Sequence, residues 1–178
     1  MRETLLSWLP ADLSGMRLLD AGCGTGALAV EAARRGAKVF AVDLSPTLID
    51  LARKRAATGL DAGDLEFRAG DMLRPELGHF DYLVAMDSLI HYCARDMSKA
   101  LGLLAPRCER ALLFTFAPRT GPLALMHAVG RFFPRKDRAP AIEPVNPAAL
   151  RRLIGEEPML ADLKAKRSLR IVNGFYTS

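Results

Sequence analysis

The sequence has no apolar run approaching the roughly 20 residues that a membrane-spanning helix needs. Its opening, MRETLLSWLPADLSG, lacks the apolar stretch and small-residue cleavage site of a signal peptide. Both absences predict a cytoplasmic protein. Cysteine is sparse: Cys23, Cys93 and Cys108 are widely spaced, with no CxxC pair and no histidine close enough to complete a zinc pattern. That argues against structural disulfides and predicts no protein-bound metal. Internal repeats and low-complexity tracts are also missing.

What is present suits one domain with a sizeable core: 178 residues, 50% hydrophobic and 25% charged. The net charge of +5 would favour an anionic ligand, a nucleic acid or a membrane surface without choosing among them. Nucleic acid is the weakest of the three. The chain has no dense basic stripe with interleaved aromatics and no Asn/Asp-Pro-Pro-aromatic stretch of the kind that serves flipped bases.

MRLLD (16–20) is a short apolar run ending in Asp20, and after a set of glycines ALAVEAARRG (27–36) has helical spacing and closes at Gly36. KVFAVD (38–43) reads as a buried strand, followed by Ser45 as N-cap and Pro46 at the first helical position. Residues 64–71, 80–87 and 110–117 read as further strands, with a helix over DMSKALGLL (96–104) between the last two. The tail from Leu150 reads as a helix and then one or two strands. Repeated strand–helix units with apolar strands predict an α/β fold: a doubly wound, mostly parallel sheet with helices on both faces and a ligand at the carboxyl ends of the strands. Residues 118–147 are rich in proline, and so long a connection after a core strand is usually functional.

In LLDAGCGTGALA (18–29), Gly22, Gly24 and Gly26 form a turn between strand and helix that suits a dinucleotide, a nucleotide phosphate or S-adenosylmethionine. Ala27 stands where the third glycine of GxGxxG would fall, and no lysine follows the turn, which removes the triphosphate. Asp20 would oppose a pyrophosphate but suits a ligand carrying an ammonium and a sulfonium. Asp43, ending the second strand, can accept ribose hydroxyls in either remaining cofactor. Asp71 can accept from an adenine amino group, with Met72 as an apolar face, and Asp87 is the fourth strand-end carboxylate. Four such carboxylates favour the cationic adenosyl cofactor over NAD.

LLDAGCGTG, VFAVDLS, GDM and FDYLVAMDSLIHY, in this order, resemble the motifs of class I S-adenosylmethionine-dependent methyltransferases. AMDSLIHY, FTFAPRTGPLALMHAVGRFFPRKDRAP and GFYTS extend the resemblance, across essentially the whole chain, to the magnesium protoporphyrin IX O-methyltransferases of chlorophyll and bacteriochlorophyll synthesis. The resemblance implies a seven-stranded Rossmann-like sheet in one domain, with a substrate-binding insertion at about 118–145. It implies methyl transfer from S-adenosylmethionine to a porphyrin propionate, leaving S-adenosylhomocysteine and a monomethyl ester. Cofactor contacts are then expected from Asp20, Gly22, Cys23, Gly24, Gly26, Asp43, Leu44, Ser45, Asp71, Met72, Asp87 and Ser88. His91 and Tyr92 are the expected acceptor-side catalytic residues, and Arg119, Met126, Arg131, Phe132 and Arg135 the porphyrin contacts. A magnesium chelatase subunit is expected as partner, and the apolar and basic segment suggests a peripheral membrane contact. Family members carry further residues at both ends, so the chain is expected to be a truncated form whose upstream lid is missing.

Overall fold

The computed structural model describes residues 1–56, 65–119 and 142–160. Five strands, β1 (Arg17–Ala21), β2 (Lys38–Asp43), β3 (Leu65–Ala69), β4 (Phe80–Ala85) and β5 (Cys108–Phe114), pair in parallel in the order β3-β2-β1-β4-β5. The helices are α1 (Arg2–Trp8), α2 (Ala27–Arg34), α3 (Pro46–Ala56), α4 (Ala94–Leu104) and α5 (Pro147–Glu156).

The two-residue alternation of a strand sorts its apolar side chains between two cores. Leu18, Val39, Ala41, Tyr82 and Val84 face α1, α2 and α3, packing with Leu5, Leu28, Ala32 and Ile49. Leu19, Ala21, Val42, Leu83 and Ala85 face the other way, against Met97, Leu101 and Leu104 of α4 and Leu150 of α5. A sheet covered on both faces needs apolar residues at consecutive positions, which is why LL (18–19) and LVA (83–85) carry no polar member. Leu18, Leu19 and Leu83 are each fully buried, and each such burial stabilises the fold by about 1.5–3 kcal/mol.

From β1 the chain moves outward through β2 to β3, then crosses back to place β4 on the other side of β1. The connections therefore diverge between β1 and β4, the position where open α/β sheets hold ligands.

Several expected boundaries shift. Helix α1 has no counterpart among the expected elements, because RETLLSW is short and Met1 supplies no side-chain cap. Strand β4 ends at Ala85 rather than residue 87, because the backbone of Asp87 turns to φ +54°. Strand β5 begins at Cys108 and ends at Phe114, opposite Ala85, rather than spanning 110–117. Its continuation pairs elsewhere: Val145 N–H donates to Ala117 O and Arg119 N–H to Val145 O, each at 2.8 Å. The described sheet has five strands where seven were expected, and the strands read in the tail fall on 161–178, outside the described residues. No helix among the described residues is long and apolar enough to cross a membrane.

Gly26 starts α2 at φ +76°, and a Cβ there would lie 2.6 Å from the Phe67 ring. It supplies the close helix–strand packing that the third glycine of GxGxxG would give one residue later. Gly26→Ala combines a left-handed backbone with overpacking and is expected to cost about 2–5 kcal/mol, lowering Tm by about 5–15 °C. Gly24→Ala, with φ +53° but open space around the site of the new Cβ, should cost only about 1–2 kcal/mol. Thermal unfolding of both variants checks this, and equal losses would contradict the packing account.

Candidate functional site

Gly22 leaves β1 where β4 leaves the sheet beside it. Its φ is +80°, and a Cβ on it would overlap the Ser88 side chain, so glycine alone lets the two turns share the gap. The Gly22 and Cys23 N–H groups donate to Val42 O at 2.8 and 3.0 Å, tying the turn to β2. Asp43 fixes it further, with Oδ2 accepting the Gly24 N–H and Oδ1 the Ser45 N–H, both at 2.9 Å. Each carboxylate oxygen retains acceptor capacity for a ligand hydroxyl. Ser45 caps α3 through Oγ, which accepts the Leu48 N–H at 3.3 Å. Leu44, between them, is 74% exposed, an unusual setting for a large apolar side chain.

Asp20 lies in the interior, 1% exposed. Burial pushes its carboxyl up to about 7; a hydrogen bond from the Ala29 backbone opposes the shift and the Asp43 charge adds to it. Burial, then the charges of Asp20 and Asp43, raise the Cys23 thiol well above its ordinary range, so it stays neutral. Asp20 Oδ2 and Ser88 Oγ are buried without a partner among the described residues. Unpaired buried polar atoms cost about 1–3 kcal/mol each, and both of these residues flank Gly22. An open turn edged by two orphaned oxygens, a carboxylate and an exposed leucine fits a polar, cation-bearing ligand with an apolar part.

At the neighbouring strand ends, Asp71 is exposed and its Oδ1 accepts the Leu73 N–H at 2.9 Å. Met72 packs into the core on the α4 side, leaving Asp71 as the exposed group of that pair. Asp87 is held by Thr115, which is not among the expected site residues. Thr115 Oγ1 accepts the Asp87 N–H at 2.7 Å and donates to Asp87 Oδ1 at 3.0 Å. The available signal was a lone hydroxyl inside the apolar run LLFTFA (112–117). His91, exposed, and Tyr92, half-buried, follow on the same turn. Burial, then the charges of Asp71 and Asp96, raise the Tyr92 phenol, which stays protonated and able to donate.

The structure thus brings Asp20, Gly22, Cys23, Gly24, Gly26, Asp43, Leu44, Ser45, Asp71, Asp87, Ser88, His91 and Tyr92 onto the strand ends and turns at the carboxyl edge of β1 to β4. Arg119 is exposed just beyond β5. Met126, Arg131, Phe132 and Arg135 lie outside the described residues. A separate cleft of about 370 Å³ between α1 and α2, lined by Arg2, Glu3, Glu31 and Arg34 among others, contains none of the expected site residues.

Two family models match the chain: a methyltransferase domain over residues 18–108, and the C-terminus of magnesium-protoporphyrin IX methyltransferase over residues 85–178. The chain is 47% identical to the magnesium-protoporphyrin O-methyltransferase of Rhodobacter capsulatus over 178 residues, all of this chain and 76% of that one. The crystal structure of magnesium protoporphyrin IX methyltransferase from Synechocystis PCC 6803 with bound SAH superposes with a TM-score of 0.73 at 30% identity, covering 88% of this chain and 70% of that one. A ubiquinone biosynthesis O-methyltransferase of Methylocella silvestris is 40% identical over 84 residues, 47% of this chain and 33% of that one.

The buried Asp20 gives the fold a pH dependence. Its carboxyl titrates near 7 when folded against an ordinary 3.8, so between those values the folded state binds the extra proton. Its contribution is fully present below about pH 4, is lost as pH rises through 7, and is level above. In urea unfolding, the protein should lose on the order of 2–3 kcal/mol relative to Asp20→Asn between pH 5 and pH 8. A difference between the two that does not change with pH would rule out a raised carboxyl.

Proposed function

The chain belongs to the magnesium-protoporphyrin IX methyltransferase family, and from that membership we propose that it transfers the methyl group of S-adenosylmethionine to a propionate carboxyl of magnesium protoporphyrin IX. The products are S-adenosylhomocysteine and the monomethyl ester. The observation that carries the acceptor is the family match over residues 85–178, since the cofactor edge by itself serves many acceptors. When bound, S-adenosylmethionine supplies a methyl group made electrophilic by its sulfonium.

The chain's own residues divide the remaining work. The Gly22–Gly26 turn and Asp20 receive the amino-acid end, Asp43 the ribose, and Asp71 and Leu44 the adenine. A propionate has a carboxylic-acid pKa of roughly 4–5 and is already a nucleophile at neutral pH, so no strong base is required. What the site must provide is alignment and exclusion of water. His91 and Tyr92 hold the acceptor carboxylate in line, the latter as a neutral donor. Residues 118–145 act as a substrate-binding insertion. There Arg119, Arg131, Arg135, Lys136 and Arg138 outnumber Asp137 and Glu143, with Met126, Phe132 and Phe133 to cover a flat macrocycle. The magnesium belongs to the substrate. Delivery by a magnesium chelatase subunit and a peripheral membrane contact belong to the same reading, favoured by the +5 net charge and this basic, apolar segment.

Calorimetry should show binding of S-adenosylmethionine and S-adenosylhomocysteine but not NAD, with Asp43→Ala weakening the donor by about 10-fold or more. Binding of NAD without adenosyl binding would overturn the cofactor assignment. With labelled donor and magnesium protoporphyrin IX the product should be the methyl ester. Bound donor with no ester, or methylation of a quinone precursor instead, would overturn the acceptor assignment. Arg131→Ala and Arg135→Ala should raise the porphyrin KM by about 10-fold while leaving the donor KM nearly unchanged. An unchanged porphyrin KM in both would count against the insertion as the porphyrin site.

A further inference from the structure

We propose that Thr115 is a positioning residue for methyl transfer: its hydroxyl brackets Asp87 and thereby fixes the turn from Asp87 to Tyr92 that carries the acceptor-side groups. The bracket grips both parts of Asp87. Thr115 Oγ1 accepts the Asp87 N–H at 2.7 Å and donates to Asp87 Oδ1 at 3.0 Å, while the Thr115 N–H reaches Ala85 O at 3.1 Å. The last strand residue of β4 and the second residue beyond it are therefore held by the same threonine.

Asp87 has need of such a hold. Its φ of +54° makes it the one non-glycine residue at positive φ among the described residues, a conformation that a Cβ disfavours. Thr115 is 7% exposed, so water does not readily replace a lost partner. Beyond Asp87 the chain has little slack. Ser88 enters the gap over Gly22, Leu89 and Ile90 are buried, and the Tyr92 N–H closes the turn on Leu89 O at 3.0 Å. A second pin holds Ile90, whose carbonyl accepts the Glu143 N–H at 2.8 Å.

Both pins come from chain that flanks residues 120–141: Thr115 from the continuation of β5 and Glu143 from the segment that returns to pair with it. The turn bearing His91 and Tyr92 is thus pinned at Asp87 and again at Ile90. Freed of the Thr115 hydroxyl, Asp87 can relax out of positive φ, and the residues after it rotate. The donor turn, anchored on Val42 O and Asp43, does not depend on that hydroxyl. Loss of the bracket should therefore impair alignment of the reacting groups more than binding of the donor. Ångström-scale misplacement of reacting groups costs about 100-fold in rate.

The kinetic arm of the test rests on the proposed reaction, and the exchange arm does not. Thr115→Val removes the hydroxyl at nearly constant shape, Thr115→Ala removes it with no added bulk should valine fail to fold, and Thr115→Ser keeps it. In protein saturated with S-adenosylhomocysteine, the hydroxyl-free variants should speed Asp87 amide exchange by about 10-fold or more, with the β1 amides unchanged. With magnesium protoporphyrin IX they should lower kcat by about 10–100-fold and leave the donor Kd within about threefold, and Thr115→Ser should restore both readouts. Parent-like exchange and kcat in the hydroxyl-free variants would overturn the proposal. So would a donor Kd that weakens by the same factor as kcat falls, or a Thr115→Ser variant as impaired as valine. Absence of ester from the parent protein would fail the acceptor assignment alone, because Asp87 exchange still judges the bracket.

Discussion

Gly22 and Ser88 share a gap in which only one of the two residues has room for a side chain. The strand order makes this unavoidable: β1 lies between β2 and β4, so the turns leaving β1 and β4 diverge from the same point of the edge. Because Gly22 yields the space, its turn can hydrogen-bond to Val42 O, Gly24 can reach Asp43, and α2 can begin at Gly26 against Phe67. Ser88 takes the space, and Thr115 holds the sharp turn at Asp87 that leads into it. The turns after β1 and β4 are in this way packed side chain to backbone across the point where the connections diverge.

The same edge carries a negative field within a chain of net positive charge. Asp20 and Asp43 lie close enough for each charge to act on Cys23, and Asp20, deprived of water, is driven toward its neutral form. A ligand cation at the turn would stabilise the carboxylate that burial disfavours, whereas a pyrophosphate would add repulsion. Asp20 lies inside the fold, while Asp43, which braces the turn with both oxygens, is only half-buried.

How much of this was legible follows from which residues are constrained locally. Strands buried on both faces must be apolar at consecutive positions, so β1, β2 and β4 stood out, and the glycine turn marked the ligand edge. Strand β3 has only Phe67 fully buried, and α1 is a short helix held by tertiary contacts, including Arg35 Nη1 donating to Leu6 O at 2.7 Å, 29 residues away in sequence. No local pattern encodes such a contact. The bend at Asp87 was hidden for the same reason: aspartate is an uncommon left-handed residue, and the group that holds it there is 28 residues further along the chain. The assignment of the acceptor came from family resemblance, because its expected contacts fall largely on residues 126–135, where charge and hydrophobicity name a chemical class and no particular molecule.

A sulfonium donor and a carboxylate acceptor suit one another in charge. Transfer from a sulfonium to a carboxylate consumes both charges, leaving a neutral thioether and a neutral ester. Water stabilises the separated charges more than it stabilises the transition state in which they fade, so excluding water favours reaction. A base placed to activate the acceptor would gain little, since the nucleophile is already ionised. The demand falls instead on rigidity: the reacting groups must hold their line without solvent to fill errors in fit. A buried hydroxyl bracket on an otherwise disfavoured backbone meets that demand at small cost, since Thr115 is itself fixed by the strand it extends.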